Sequence, residues 1–410
     1  MSALAKAGAR IATATVPLRG PAAAVGLFGN LGTRSETAET SGLLSVVQRA
    51  RALEAGPRLA RLGGTVSTDV RRDGTALVAV VPKEHAEAAA AALVEAATAP
   101  PGPESLDRAR AAQLALLARE ASDVREMVYG CAYLDAPYGR PVLGTPESVG
   151  ALAADAMQAF LAAHAPAFVG AGAGTGALDA FKDLAPPAAA LVAAAPGAAA
   201  FTGSDCRVTS DGAPLARVSL AYAFPRLDEG GAAAARLLPF LLGAATPEAA
   251  ARREPYNALG KLQRDLAEQG AGARLDAWYA PAADGGLFGV DWACPDVRCE
   301  DATYYVMANL VRLVGRVSDA ELGAAKRAFA AHRAAVAANP RAACLDLGRD
   351  LRLLGAPAPA EAVLAVTAAD VKELVYARIH DCDHALAAHG PLHELPDYNW
   401  IRTASYDYAF

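Results

Sequence analysis

Within "TAETSGLLSVVQRA", residues 37–50, three polar side chains interrupt the apolar run of Leu43, Leu44, Val46 and Val47. They are Ser45, Gln48 and Arg49, and their i, i+3, i+4 spacing puts them on one face of a helix. Two readings of that face stand: a solvated stripe, or a place where chemistry was once done. A second cluster is "HDCDHALAAHGPLH", residues 380–393. On a strand, His380, Cys382 and His384 would share one face, a donor set that suits zinc or copper. The alternative is a loop running into a strand with its polar side chains exposed. Other chemistry is missing. No HExxH or HxxEH occurs, no GxGxxG or GxxxxGK[ST] opens a helix after a strand, and there is no GxSxG elbow. "VGAGAGTGAL" at 169–178 is glycine-rich but has no lysine, and reads as a turn before a helix rather than a phosphate loop. The six cysteines (Cys131, Cys206, Cys294, Cys299, Cys344 and Cys382) form no CxxC, and Cys294 and Cys299 make only a weak pair. At this length a disulfide framework is not expected, and reduced thiols are the default.

The elements that position these residues follow from composition and pattern. A chain of 410 residues exceeds one ordinary core, so two or more domains are expected. Hydrophobic residues at 53% against 20% charged argue for a well-packed protein and against disorder, and alanine runs such as "AEAAAAALVEAA" favour helix. A net charge of −6 excludes a broad basic face for nucleic acid. No stretch reads as a transmembrane helix; the most apolar segment, "PPAAALVAAAPGAAAF" at 186–201, is short, proline-broken and reads as a linker. The first acidic residue is Glu36, after Lys6, Arg10, Arg19 and Arg34. That start has the composition of an organellar transit segment, with an ordinary alanine-rich first strand as the alternative.

The chain repeats itself. "AAAVGLFGNLGTRSE" and "ARVSLAYAFPRLDEGG" are each a strand followed by a turn, with Val25 set on Val218. "RLARLGGTVSTDV" and "RDLAEQGAGARLDAW" each run from helix through glycine to strand. "DGTALVAVVPKEH" (73–85) and "DGGLFGVDWACPD" (284–296) each give an Asp-Gly turn, an apolar strand and a proline, leading into helices at 84–98 and 300–315. Residues 104–134 and 318–354 read as long helices, and 147–164 matches 367–378. The expected fold is α+β: two homologous domains, residues 1–190 and 200–410, each a mostly antiparallel sheet packed with helices. Generic strand–helix alternation is the competing account of the repeat. The aromatic end "RTASYDYAF" is suited to packing on a partner subunit or back on its own domain.

Several segments, in order, resemble the pitrilysin/insulinase metalloprotease family: "GLFGNLGTRSETAETSG", "SDVREMVYGCAYLDAPYGRPVLGTPESV", "FTGSDCRVTSDGAPLARVSLAYAF" and "HGPLHELPDYNWIR". The last is the most specific and resembles the end of one branch, the β subunits of mitochondrial processing peptidase and the core 1 proteins of ubiquinol–cytochrome c reductase (complex III). The likeness runs from about residue 9 to 410. Active members carry HxxEH on the helix after the first loop: two zinc-ligating histidines and a glutamate base. In register, those positions hold Ser45, Gln48 and Arg49. None is a good zinc ligand, Gln48 is no base at neutral pH, and Arg49 puts a fixed cation where the metal charge belongs. The family's third ligand is a glutamate in the helix around 104–123, where Glu120 is the candidate remnant. The resemblance implies a catalytically dead core subunit with no cofactor of its own, on the matrix side of the mitochondrial inner membrane. The partners it implies are a second, α-type core protein and the cytochrome b, cytochrome c1 and iron–sulfur subunits of complex III. The runner-up is an inactive presequence-binding subunit of a processing peptidase; a third option is an inactive cytosolic paralogue.

Overall fold

Tight turns and runs of Val, Leu and Ala set up the strands of the first sheet. A computed structural model of the chain describes residues 13–119, 123–164, 168–176, 178–181, 200–243, 261–272 and 274–407. In the first sheet, β1 (Thr13–Val16), β2 (Ala22–Gly29), β3 (Thr65–Arg71), β4 (Gly74–Pro82) and β5 (Phe168–Ala173) lie in the order β1-β5-β2-β4-β3. A two-residue turn, Arg72–Asp73, joins β3 to β4 by pairing Arg71 with Gly74. In the second sheet, β6 (Ser204–Thr209), β7 (Ala216–Phe224), β8 (Arg274–Pro281), β9 (Gly286–Cys294) and β10 (Ala385–Gly390) take the equivalent order, β6-β10-β7-β9-β8. In each, only the outer pair β1–β5 or β6–β10 is parallel. Val25 pairs with Ala79, three residues before Pro82, and Val218 pairs with Trp292, three residues before Pro295. The two sheets thus repeat topology and register, so the α+β repeat is real and generic alternation does not explain it.

Helices between the strands are α1 (Leu43–Arg61), α2 (Ala86–Thr98), α3 (Pro103–Leu117), α4 (Val124–Ala132), α5 (Pro146–Ala151), α6 (Ala154–Ala163) and α7 (Ala232–Leu242). They continue with α8 (Lys261–Glu268), α9 (Cys299–Gly315), α10 (Asp319–Ala338), α11 (Pro340–Leu354), α12 (Ala360–Ala365), α13 (Ala368–Arg378) and α14 (Tyr398–Asp407). The expected long helix at 318–354 breaks at Pro340, which starts α11 where its missing N–H costs nothing, with Asn339 as N-cap. The one at 104–134 divides into α3 and α4. "VGAGAGTGAL" is a turn only in part: its first half is β5, a bend at Gly174 and Thr175 follows, and its glycines leave room for packed neighbours, as where Phe181 lies against Gly170. The linker expected at 186–201 lies almost wholly outside the described residues.

The chain forms two compact units that are not its two contiguous halves. One comprises residues 1–121, 140–198 and 333–358; the other comprises 122–139, 199–332 and 359–410. Each sheet is therefore closed on one face by a helix from the other part of the sequence. In the first unit α2 and α1 cover one face, while α11 covers the other through Cys344, Leu347 and Leu351 against Phe28, Val78 and Val169. Gly348 makes this approach possible, since a Cβ there would lie 2.1 Å from the Phe28 ring. In the second unit α9, α7 and α13 cover one face, and α4 covers the other through Val128, Cys131 and Ala132 against Ala221, Leu287 and Ala387. Strands covered on both faces lose apolar/polar alternation, which is why β2, β4, β7 and β9 are almost continuously apolar.

Each covering helix carries an arginine that joins it to its sheet. Arg352 of α11 pairs with Asp73 of the β3–β4 turn at 2.8 Å, both side chains buried. Arg125 of α4 binds Asp276 and Asp291, which face each other directly across β8 and β9. Like charges at such a position repel, and the guanidinium compensates both. Burial pushes the Asp291 carboxyl up; Arg125, Ser219 and Trp278 hold it back down by charge and hydrogen bonds.

Candidate functional site

The polar face of α1 lies in the first unit, among a set of cross-chain hydrogen bonds. Gly42, with φ of 88°, starts the helix in a left-handed conformation where a side chain would be strained. A Cβ there would also lie 2.6 Å from the Leu143 carbonyl. No side chain of the N-cap residue caps the helix. Instead the buried Glu36 carboxylate accepts from Gly42 N (2.9 Å) and Leu44 N (2.7 Å), placing negative charge on the helix N-terminus. Burial raises the Glu36 pKa to about 7, against the opposing pull of those two N–H groups and of Arg140. Arg140 also donates to the Glu36 carbonyl.

Ser45 and Gln48 are buried, at 5% and 3% exposure, and Arg49 is partly buried. The face is therefore not a solvated stripe. Ser45 Oγ donates to the Val142 carbonyl at 2.7 Å. On α3, the fully buried Gln113 donates from Nε2 to the next carbonyl, Leu143, at 2.7 Å. Ser148 Oγ donates to the Ser41 carbonyl at 2.9 Å, so the segment 140–148 is tied to α1 and α3 from both sides. Gln48 Oε1 and Arg49 Nε have no hydrogen-bond partner among the described residues. Arg51, one turn on, is buried, and burial lowers its pKa to about 10 against the charge of Glu54.

Ser45 has its hydroxyl proton committed to a carbonyl, Gln48 offers only a neutral amide, and Arg49 brings a permanent positive charge. Glu120 lies outside the described residues. Gln113 is the buried polar group that α3 turns inward, and sequence reading missed it. Its signal was present: Leu106, Ala109 and Gln113 form the buried i, i+3, i+7 stripe of α3, with a carboxamide in an apolar row.

The histidine cluster is dispersed. Residues 380–384 precede β10, so His380, Cys382 and His384 do not share a strand face. His380 stacks on Tyr376 and His384 on Tyr398, with centroids 4.9 and 4.0 Å apart. His384 is fully buried, neither ring nitrogen has a partner among the described residues, and burial drops its pKa to about 3. Among the described residues no three His, Cys, Asp or Glu side chains converge on one point. No helix among them is long and apolar enough to cross a membrane. Of the C-terminal aromatic segment, residues 402–407 belong to α14, which packs Ile401 and Ala404 into the core of its own unit, and residues 408–410 lie outside the described residues.

Two topologically equivalent five-stranded units with helices on both sheet faces define the class: a two-unit α+β fold built from a structural repeat. No family model matches the chain. It is 25% identical over 430 aligned positions to the probable mitochondrial-processing peptidase subunit beta of Arabidopsis thaliana, covering 97% of this chain and 80% of that protein. It is 24% identical over 212 positions to human cytochrome b-c1 complex subunit 1, covering 50% of this chain and 43% of that one. Its fold matches a chain of complex III2 from Candida albicans with Inz-5 bound, with a TM-score of 0.82 at 21% identity over 96% of each chain. In sequence the chain is thus similar to mitochondrial processing peptidase β subunits and complex III core 1 proteins, and in fold to a complex III chain.

Proposed function

We propose that the chain is a non-catalytic core subunit of complex III, ubiquinol–cytochrome c reductase, held at the matrix side of the mitochondrial inner membrane by its partners. Those partners are a second, α-type core protein and the cytochrome b, cytochrome c1 and iron–sulfur subunits. The observation that carries the reading is the state of the α1 face. Ser45, with Gln113 of α3, holds the carbonyls of Val142 and Leu143, and Arg49 adds a fixed cation. Side chains used this way stabilise a fold and leave no base or metal donor for peptide hydrolysis. The relatives named for complex III support assembly as the role. A second reading is supported by the match to a processing peptidase β subunit over 97% of the chain: an inactive subunit that binds presequences while another cuts. Metal analysis and a presequence-cleavage assay on the purified chain, alone and with an α-type partner, test the loss of catalysis. The expected result is no stoichiometric zinc and no cleavage. One zinc per chain that is lost on substitution in residues 45–49 contradicts it.

A further inference from the structure

The second unit carries a cleft of about 760 Å³ between α8, α9 and the turn that follows α9. One wall is a neutral relay of polar groups. Lys261 Nζ pairs with Asp265 at 2.9 Å, and Asn309 Nδ2 donates to Asp265 at 2.8 Å. Arg312 Nε donates to Asn309 Oδ1 at 3.1 Å, and Arg312 pairs with Glu321 at 2.9 Å. Two lining cations stand outside this relay. Arg264 on α8 and Arg316 after α9 have no carboxylate partner among the described residues, and Arg264 Nε is shut off from solvent without an acceptor. Tyr304, 40% exposed, stands at the same cleft beside Tyr305, with Ala308 and Val317 as apolar lining.

We propose that this cleft is a docking site for an acidic peptide segment of a partner protein, with carboxylates on Arg264 and Arg316 and an apolar or aromatic residue against Tyr304. Charge complementarity is the argument. In a chain of net charge −6, the cleft holds two arginines with no carboxylate in ion-pair contact among the described residues. Arginine forks match carboxylates, and Tyr and Arg are the residue types that dominate protein interfaces. The volume far exceeds that of an inorganic anion, and the two guanidiniums sit on different elements, so the ligand must span them. The inference goes beyond the subunit reading and stands or falls separately from it.

The test is fluorescence anisotropy on the full chain with a labelled Glu-Glu-Tyr-Leu-Glu-Glu peptide and its all-Gln analogue. The expected result is saturable binding of the Glu peptide, at least tenfold weaker binding of the Gln peptide, and loss in Arg264→Glu/Arg316→Glu. Tyr304→Ala, at an exposed position, should weaken binding severalfold with unchanged melting temperature, which keeps the test valid if the double variant folds poorly. Equal binding of both peptides, no saturable binding, or a Tyr304→Ala affinity equal to wild type overturns the proposal. Pyrophosphate binding more tightly than the Glu peptide assigns the cleft to a small anion and overturns it as well.

Discussion

Ser45 Oγ on α1 donates a 2.7 Å hydrogen bond to the carbonyl of Val142, 97 residues further along the chain. Gln113, on α3, holds the carbonyl of Leu143 beside it. Two buried side chains on different helices thus fix consecutive peptide groups of one loop. Ser45→Ala should lower unfolding free energy by about 1 kcal/mol, because the bond from the buried hydroxyl to the part-buried Val142 carbonyl is lost. Gln113→Ala should cost about 2–3 kcal/mol, because it also leaves a cavity. Urea unfolding of the single and double variants checks this. The double variant should lose less than the two singles combined, since both act on the same loop.

Installing an HxxEH triad by Ser45→His, Gln48→Glu and Arg49→His should not confer peptidase activity. The substitutions place an imidazole where a small hydroxyl fits and a carboxylate at a site that is 3% exposed. The expected outcome is a melting temperature several degrees lower and no hydrolysis of a presequence peptide in the presence of zinc. Robust zinc-dependent cleavage in that variant would show an otherwise intact site.

Arg352 and Asp73 are a buried ion pair that fastens α11 to the sheet hairpin. Breaking such a pair from one side is expensive because the remaining charge is uncompensated. Arg352→Met should destabilise by about 3–5 kcal/mol, and Arg352→Met/Asp73→Asn should recover part of the loss. Denaturant midpoints of the two variants measure it.

His384 predicts an acid-sensitive fold. Its ordinary pKa of 6.5 falls to about 3 in the folded chain, so below pH 6.5 the unfolded chain binds a proton that the folded chain refuses. Stability is unaffected by this group above pH 6.5 and falls progressively as pH drops from 6.5 toward 3. The loss amounts to about 2 kcal/mol by pH 5. His384→Phe, which keeps the stack on Tyr398, should flatten the stability–pH curve over that interval, as read by melting temperature across a buffer series.

The repeat was legible because β4 and β9 share turn, apolar run and proline, and that pattern specifies register directly. The exchange of α4 and α11 between units was not legible. Val128, Cys131 and Ala132, or Cys344, Leu347 and Leu351, announce an apolar face but not which sheet it covers. Reciprocal charges, Arg125 with Asp291 and Arg352 with Asp73, encode the pairing, and they are far apart in sequence. The α1 face was legible as three polar residues at helical spacing. Their burial and the loop they hold were not, because Val142 and Leu143 take part through backbone carbonyls that no residue type advertises. Of the two readings of the histidine cluster, the shared strand face fails because β10 starts at Ala385, one residue after His384.

The most direct test of the account is isolation of the tagged chain from the organism's respiratory membranes under mild detergent, followed by a haem difference spectrum of the purified material. The account predicts recovery with cytochromes b and c1 in a fixed ratio to the chain. Recovery with a zinc peptidase and no haem would contradict it.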